Sequence, residues 1–374
     1  MDRRDPGLRR REAERTGFPP GLNPSERPMR AAPVPPNEPK SPTPILPKPF
    51  LVWLTILYLG LGTLIVGGGH VAEVTANWPI AVAMAIGSYI AGSTPMGGGT
   101  IGFPVLVLVF DAPATIGRDF SFAIQAIGMT SASVYILLRR LPLAWRVLAP
   151  AMAGSVVGTP LGALFIAPHV DDLLAKLVFA IIWAGFGIAQ LRLMRDLLEP
   201  TPLVHPHPTF DRVAGGLVGF FGGLLIASIT GVGVDMLLFV TLVLLVRVDA
   251  RCGIASSVLL MAVTSIVGLV TNAIAFGVPA EVWSNWYAAA PVVAVGAPLG
   301  ALAASIMPRG LTLGIVSALC VLQFFAFCSA ERISGWPLAV SLIALAATTA
   351  AFAVVGHWGD RRSRGTAATG PPRA

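Results

Sequence analysis

Apolar residues run through this chain in blocks of about 20 from Phe50 to Gly356, broken by short polar interruptions. A bilayer core needs about 20 apolar residues per helical crossing. The blocks therefore predict membrane spans near 50–69, 119–138, 143–166, 173–191, 252–275, 285–306, 310–328 and 336–356. Two further stretches, 79–110 and 213–246, are too long for one crossing and short for two. Each is interrupted in its middle, the first by "STPMGGG" and the second by "SITGVGV".

Lys and Arg concentrate on the cytoplasmic side of membrane helices, so they decide how the two odd stretches are threaded. Ten Lys/Arg in the N-terminal tail place it inside, and the following loop "GGGHVAEVTANWP", which has none, is outside. Arg139, Arg140 and Arg146 place the loop after span 119–138 inside, so 79–110 starts and ends outside. Arg192, Arg195, Arg212, Arg247 and Arg251 make 213–246 start and end inside, and Arg361, Arg362 and Arg364 put the C-terminus inside. Arg118 and Arg332 run against this pattern. Each odd stretch is read as a re-entrant hairpin of two short helices meeting at its glycines, the two entering from opposite faces.

A weak internal repeat pairs the hairpins. "PLGAL" occurs at 160–164 and at 298–302, Trp145 matches Trp283, Gly117 matches Gly253, and Gly97 and Gly99 match Gly231 and Gly233 in the same order. Such self-similarity sets architecture. The expected fold is an all-α polytopic membrane protein with eight transmembrane helices, two re-entrant broken-helix hairpins and an inverted internal repeat. The expected organisation is a disordered Pro/Arg-rich cytoplasmic tail (1–49), a first helix and loop (50–78), repeat 1 (79–195), a cytoplasmic linker (196–212), repeat 2 (213–330), a last helix (331–357) and a cytoplasmic tail (358–374).

Composition agrees. The chain of 374 residues is 55% hydrophobic and 12% charged, against roughly 25% charged in soluble domains. The net charge of +7 lies in tails and short loops, which speaks for topology and against nucleic acid. Cys252, Cys320 and Cys328 follow no ligand spacing and read as small buried hydrophobes. The first apolar run starts too late for a signal peptide, so a plasma (inner) membrane location with both termini cytoplasmic is expected.

Irregular backbone at membrane depth survives only inside protein or beside a water-filled cavity. Inverted repeats with discontinuous helices are a common construction of secondary transporters. The returning arms begin near Thr100 and Val234, and helix N-termini attract anions where glycine lets them approach. Gly97, Gly98, Gly99, Thr100, Thr230, Gly231 and Gly233 are therefore the candidate substrate-binding residues. Ser93, Gln125 and Ser228 supply supporting polar atoms, with Thr94, Thr130 and Ser131 nearby. Isolated glycines such as Gly62, Gly158 and Gly268 read as helix-packing contacts.

No Lys or Arg falls in a predicted span core, and two acids intrude on apolar segments. Asp235, after "TGVGV", carries a coupled proton or caps the returning arm; both readings stay open. Asp119 beside Arg118 reads as a loop-end ion pair.

The stretches "MGGGTIGFPVLVLVF" and "TGVGVDMLLFVTLVLL" ahead of Gly253 resemble the two halves of the TauE/SafE sulfite-exporter-like family, the 4-toluenesulfonate uptake permeases, over about residues 80–330. The resemblance implies a permease for sulfite, sulfonates or related organosulfur anions, with eight spans in a duplicated unit. The family's glycine motif maps to Gly97, Gly98, Gly99 and Pro104, and in degraded form to Gly231 and Gly233. Two departures are Val232, Leu238 and Asp235 in the second half, and "GRDFSF" from Gly117. The expected function is an anion permease coupled to an ion gradient, without cofactor, metal or enzymatic activity. Its partners are the small anionic substrate and the lipid bilayer; the sequence leaves the oligomeric state open. An intramembrane aspartyl peptidase using Asp119 and Asp235, which lacks a Gly-x-Gly-Asp run here, and an ion channel are the competing readings.

Overall fold

The computed structural model describes residues 46–194, 208–306 and 309–368, all in helices and their short connections. Residues 1–45 and 195–207, on which most of the expected tail and linker fall, lie outside the described residues. The helices are α1 (Lys48–Gly62), α2 (Val71–Ala76), α3 (Trp78–Ser93), α4 (Gly99–Pro104), α5 (Ala114–Leu138), α6 (Trp145–Phe165), α7 (Asp172–Arg192), α8 (Pro208–Phe221), α9 (Val234–Val240), α10 (Ala250–Ala275), α11 (Ala280–Ile306), α12 (Arg309–Ala330) and α13 (Trp336–Ala368). Wide π turns extend α1 to Gly67, α4 to Val109 and α9 to Leu245, and carry α8 on to Thr230.

Burial grades the helices by position. Two thirds of the apolar window of α5 and of α10 is buried, against 11% in α1 and 17% in α13. Ile56, Leu59 and Val66 on α1 and Ile343 on α13 are exposed, as lipid-facing side chains would be. The two central helices pack on each other. Around them α3 packs on α11 and α8 packs on α6, while α7 packs on α12. Exchanging 79–192 for 208–330 leaves this pairing unchanged, so each hairpin's first arm is held by the other half of the molecule.

The repeated residues explain the pairing. A methyl group at Gly162, within the first "PLGAL", would strike Leu224 and Ser228 on α8; at Gly300, within the second, it would strike Tyr89, Gly92 and Ser93 on α3. Gly117 on α5 is closed over by Phe103 and Val107, and Gly253 on α10 by Phe239 and Val243, each pair of positions 136 residues apart. The exits of the returning arms share this offset. Asp111 (φ 54°) and Arg247 (φ 62°) both take the left-handed conformation, which few non-glycine residues adopt, and are followed by the bonds Ala112 N–H to Leu106 O and Val248 N–H to Leu242 O. At equivalent turns one half carries an acid and the other a base.

Contacts between connections follow the charge-derived faces. Asn77 donates to the Ser284 carbonyl at 3.4 Å and His70 stacks on Tyr287, joining two segments assigned outside. Ala114 N–H donates to Asp172 Oδ1, and Lys176 Nζ to Glu331 Oε1 at 2.6 Å, again between segments assigned outside. Ala144 N–H donates to Ser256 Oγ at 3.0 Å, between segments assigned inside.

Nine described helices are long and apolar enough to cross a membrane: one at each of the eight expected spans, and Pro208–Thr230, which begins before Arg212. Two expectations are corrected. Arg118 and Asp119 lie on the buried face of α5, which starts at Ala114, and Lys176 is 6% exposed on α7, so cations do enter the helices. Nothing lies within 4 Å of a methyl group at Gly62, so it makes no packing contact within the described residues; Gly158 against Phe220 and Gly268 against the Phe122 ring do. The last helix continues to Ala368, beyond its apolar span at Trp336–Gly359.

Candidate functional site

The first hairpin breaks because of proline. A residue before proline is driven to extended backbone, and Thr94, ahead of Pro95, has φ −136° and ψ 165°, which ends α3. The chain re-enters a helix at Gly98, φ −60° and ψ −25°. Pro104 then removes the N–H that would bond the carbonyl of Thr100 four residues earlier. Gln323 on α12 supplies the donor instead, Nε2 to Thr100 O at 3.1 Å.

The second hairpin breaks because of glycine. Gly231 (φ 76°) ends the first arm with its N–H on Ala227 O at 2.7 Å, and Gly233 (φ 103°) turns the chain into α9. Both angles suit glycine alone at little cost. The single Thr230 hydroxyl proton lies between Ile226 O of the first arm at 2.9 Å and Val232 O of the turn at 3.0 Å.

The tips meet. Asp235, 2% exposed, accepts the Gly97 N–H of the other hairpin through Oδ2 at 2.5 Å. Its Oδ1 accepts the N–H of Gly233 at 3.2 Å and of Met236 at 2.9 Å. One carboxylate thus holds backbone amides from both hairpins, at the N-terminal end of both returning arms, where the helix dipoles favour negative charge. Gln125 on α5 braces the pair, Nε2 donating to Ser121 O at 2.9 Å and to Gly231 O at 3.1 Å. Its Oε1 is buried without a partner and lies against Gly97.

Apolar and aromatic groups close the site. Trp183 on α7 donates Nε1–H to Thr100 Oγ1 at 2.9 Å and its ring lies against Gly233. Phe179 stacks between Trp183 and Phe103 at 4.3 and 4.6 Å. Val232 and Ser121 fill the space beside Gly99, leaving no room for a side chain there.

The description "Sulfite exporter TauE/SafE" belongs to the family model that matches residues 79–327, which span both hairpins and the helices between and after them. The chain belongs to the TauE/SafE family. Comparison with curated proteins and with solved structures found no match. Membership makes this a multi-pass membrane transporter of the sulfite- or anion-exporter type.

Within this TauE/SafE chain the structure gathers Gly97, Gly99, Thr100, Gln125, Gly231, Gly233 and Asp235 at one point. Gly98 borders it, with 3.7 Å between an added methyl group and Ala91, Gln125 or Met84. Ser93 and Ser228 point elsewhere: each hydroxyl bonds back into its own helix, to Ile90 O and Leu224 O. Thr94 does likewise, to Ile90 O, and Ser131 donates across to Ala294 O. Asp119 is not at a loop end. It takes Arg118 Nε at 2.8 Å and Asn272 Nδ2 at 2.7 Å, and shares no hydrogen bond with Asp235. Trp183, Gln323 and Ser121 escaped the sequence reading, and Val232 was noted only as a departure from the motif, because their roles come from packing partners up to 223 positions away. The missing N–H of Pro104 was the one signal that a donor for Thr100 O had to exist.

Proposed function

We propose that this protein moves a small organosulfur anion, sulfite or a sulfonate, across the plasma membrane, with both termini cytoplasmic. The transport site is the meeting point of two re-entrant hairpins, each opening to its own side, within inverted repeats 79–195 and 213–330. The observation that carries this reading is the carboxylate of Asp235 on the amide of Gly97. The tips already hold an oxyanion, built from the chain itself, by backbone donors and helix N-termini.

The substrate and the Asp235 side chain compete for these donors. For an anion to take the Gly97 N–H, Asp235 must leave it, and two negative charges in a buried site repel strongly. Taking up a proton on Oδ2 removes that repulsion, so each anion enters with one proton, and loss of the proton on the far side restores the latch. Capping and proton coupling are then two states of one residue. Gln125 Oε1, an acceptor without a donor, is placed to receive the new O–H.

Uptake into proteoliposomes of labelled sulfite and of a sulfonate, with and without an imposed proton gradient, tests this. Faster movement down the proton gradient is expected for the native chain. Movement of neither anion under any gradient would remove the proposal.

A further inference from the structure

The site at the hairpin tips is built largely from backbone, and away from it a buried side chain, Arg118, borders a cavity. A cavity of about 410 Å³ opens beside the N-termini of α5 and α7, lined by Asp111, Thr115, Arg118, Asp172, Lys176 and Ile229. At about 30 Å³ per water it has room for a small ion with much of its hydration shell. Ile229 lies two residues before Gly231, whose Cα rests against the Arg118 carbonyl, so the cavity borders the second hairpin tip.

The charges in this cavity are unequally spent. Lys176 is held by Asp172 Oδ2 at 2.7 Å and Glu331 Oε1 at 2.6 Å. Asp172 also caps α5 by accepting the Ala114 N–H. Arg118, 9% exposed, makes one side-chain bond among the described residues, from Nε to Asp119 Oδ1. Asp119 is fixed in turn by Asn272 from α10. The chain Asn272, Asp119, Arg118 holds the guanidinium at Nε, and its two terminal nitrogens have no hydrogen-bond partner among the described residues. A guanidinium held this way presents a planar fork matched to two oxygens of one anion.

The equivalent position in the second half, 136 residues on, is Ile254. It lines a corresponding cavity of about 340 Å³ beside the N-terminus of α10, where Arg251 is exposed and the deeper cation is absent. The two halves therefore differ where an anion would first be caught.

The geometry points to Arg118 as the centre of a second, peripheral oxoanion site, a vestibule that captures a sulfite- or sulfonate-type anion by a bidentate bond before it reaches the hairpin tips. Acids on the cavity wall roughly balance its cations, so selection rests on the fork's geometry more than on long-range attraction. Chloride, which cannot offer two oxygens, is a poor ligand for it. Where this site serves the transport proposed above, Arg118 acts on capture and not on translocation.

Calorimetric titration of the purified full chain in detergent with sodium sulfite and sodium methanesulfonate, in a chloride background, tests the site. The native chain should bind both. R118Q/D119N, which removes both charges and keeps a neutral partner for Asn272, should weaken binding by about tenfold or more, and R118K by several-fold, with thermal unfolding showing both variants folded. In proteoliposomes R118K should raise KM from the vestibule side and leave kcat within about twofold. No binding by the native chain, unchanged binding by R118Q/D119N, or a fall in kcat at constant KM would overturn the inference. Binding lost in R118Q/D119N while even the native chain transports nothing would uphold the vestibule and defeat the permease reading. Transport with binding indifferent to Arg118 would do the reverse.

Discussion

The two hairpin tips use glycine for different physical reasons. At the first, Pro95 supplies the break and Gly98 is helical; Gly97 and Gly99 are needed for room, since Gln125 and Asp235 crowd one and Val232 and Ser121 the other. At the second, Gly231 and Gly233 are needed for their left-handed angles, and for room as well, Gly231 against the Arg118 carbonyl and Gly233 against the Trp183 ring. The first tip thus offers a tightly approached amide, and the second supplies the carboxylate that approaches it. The first tip reads "GGG" and the second "GVG", and the two divide the labour, with Asp235 supplied by the second alone.

The comparison can be broken most forcefully at the second tip. Gly231→Ala forces a side chain into the left-handed region and onto the Arg118 carbonyl, and should cost about 2–5 kcal/mol. Chemical or thermal unfolding in detergent, and folded yield, would show it; a native-like yield would mean that the turn can relax.

Next comes Asp235→Asn. The amide retains one acceptor for Gly97 or Gly233 but not all three N–H bonds, for a loss of about 1–3 kcal/mol. Its sharper effect is on transport, which should lose its dependence on the proton gradient. Unchanged pH dependence in flux measurements would reduce Asp235 to a cap.

Gly97→Ala should be comparable or smaller in stability, about 1–3 kcal/mol, because the groups it strikes are ends of side chains that can shift. Flux should fall more than stability does. The least effect belongs to Gly98→Ala, whose methyl group meets ordinary contacts at 3.7 Å, with stability changing within about 0.5 kcal/mol. A large loss there would show that the triplet acts as a unit and that the spacing argument is incomplete.

Much of this was legible in the sequence because membrane helices write their constraints locally. Charge placed the connections on consistent faces, and proline beside glycine marked the breaks. What stayed hidden depends on which helix lies beside which. Gly62 looked like Gly158 in sequence; only the neighbours of α1 and α6 separate them. The start of α8 at Pro208 was masked by the charge at Arg212, and Arg118 was discounted as a loop residue because the apolar run seemed to begin after it. The meeting of Gly97 with Asp235 joins positions 138 apart, and no local pattern encodes it.

The central claim is that the transported anion displaces the Asp235 carboxylate from the Gly97 amide and that the displaced side chain takes a proton. Infrared difference spectroscopy of the purified chain, recorded on adding sulfite, reads this directly. The account predicts loss of a carboxylate band and gain of a protonated-carboxyl stretch in the native chain, both absent in Asp235→Asn. Sulfite binding with no change in either band would contradict it.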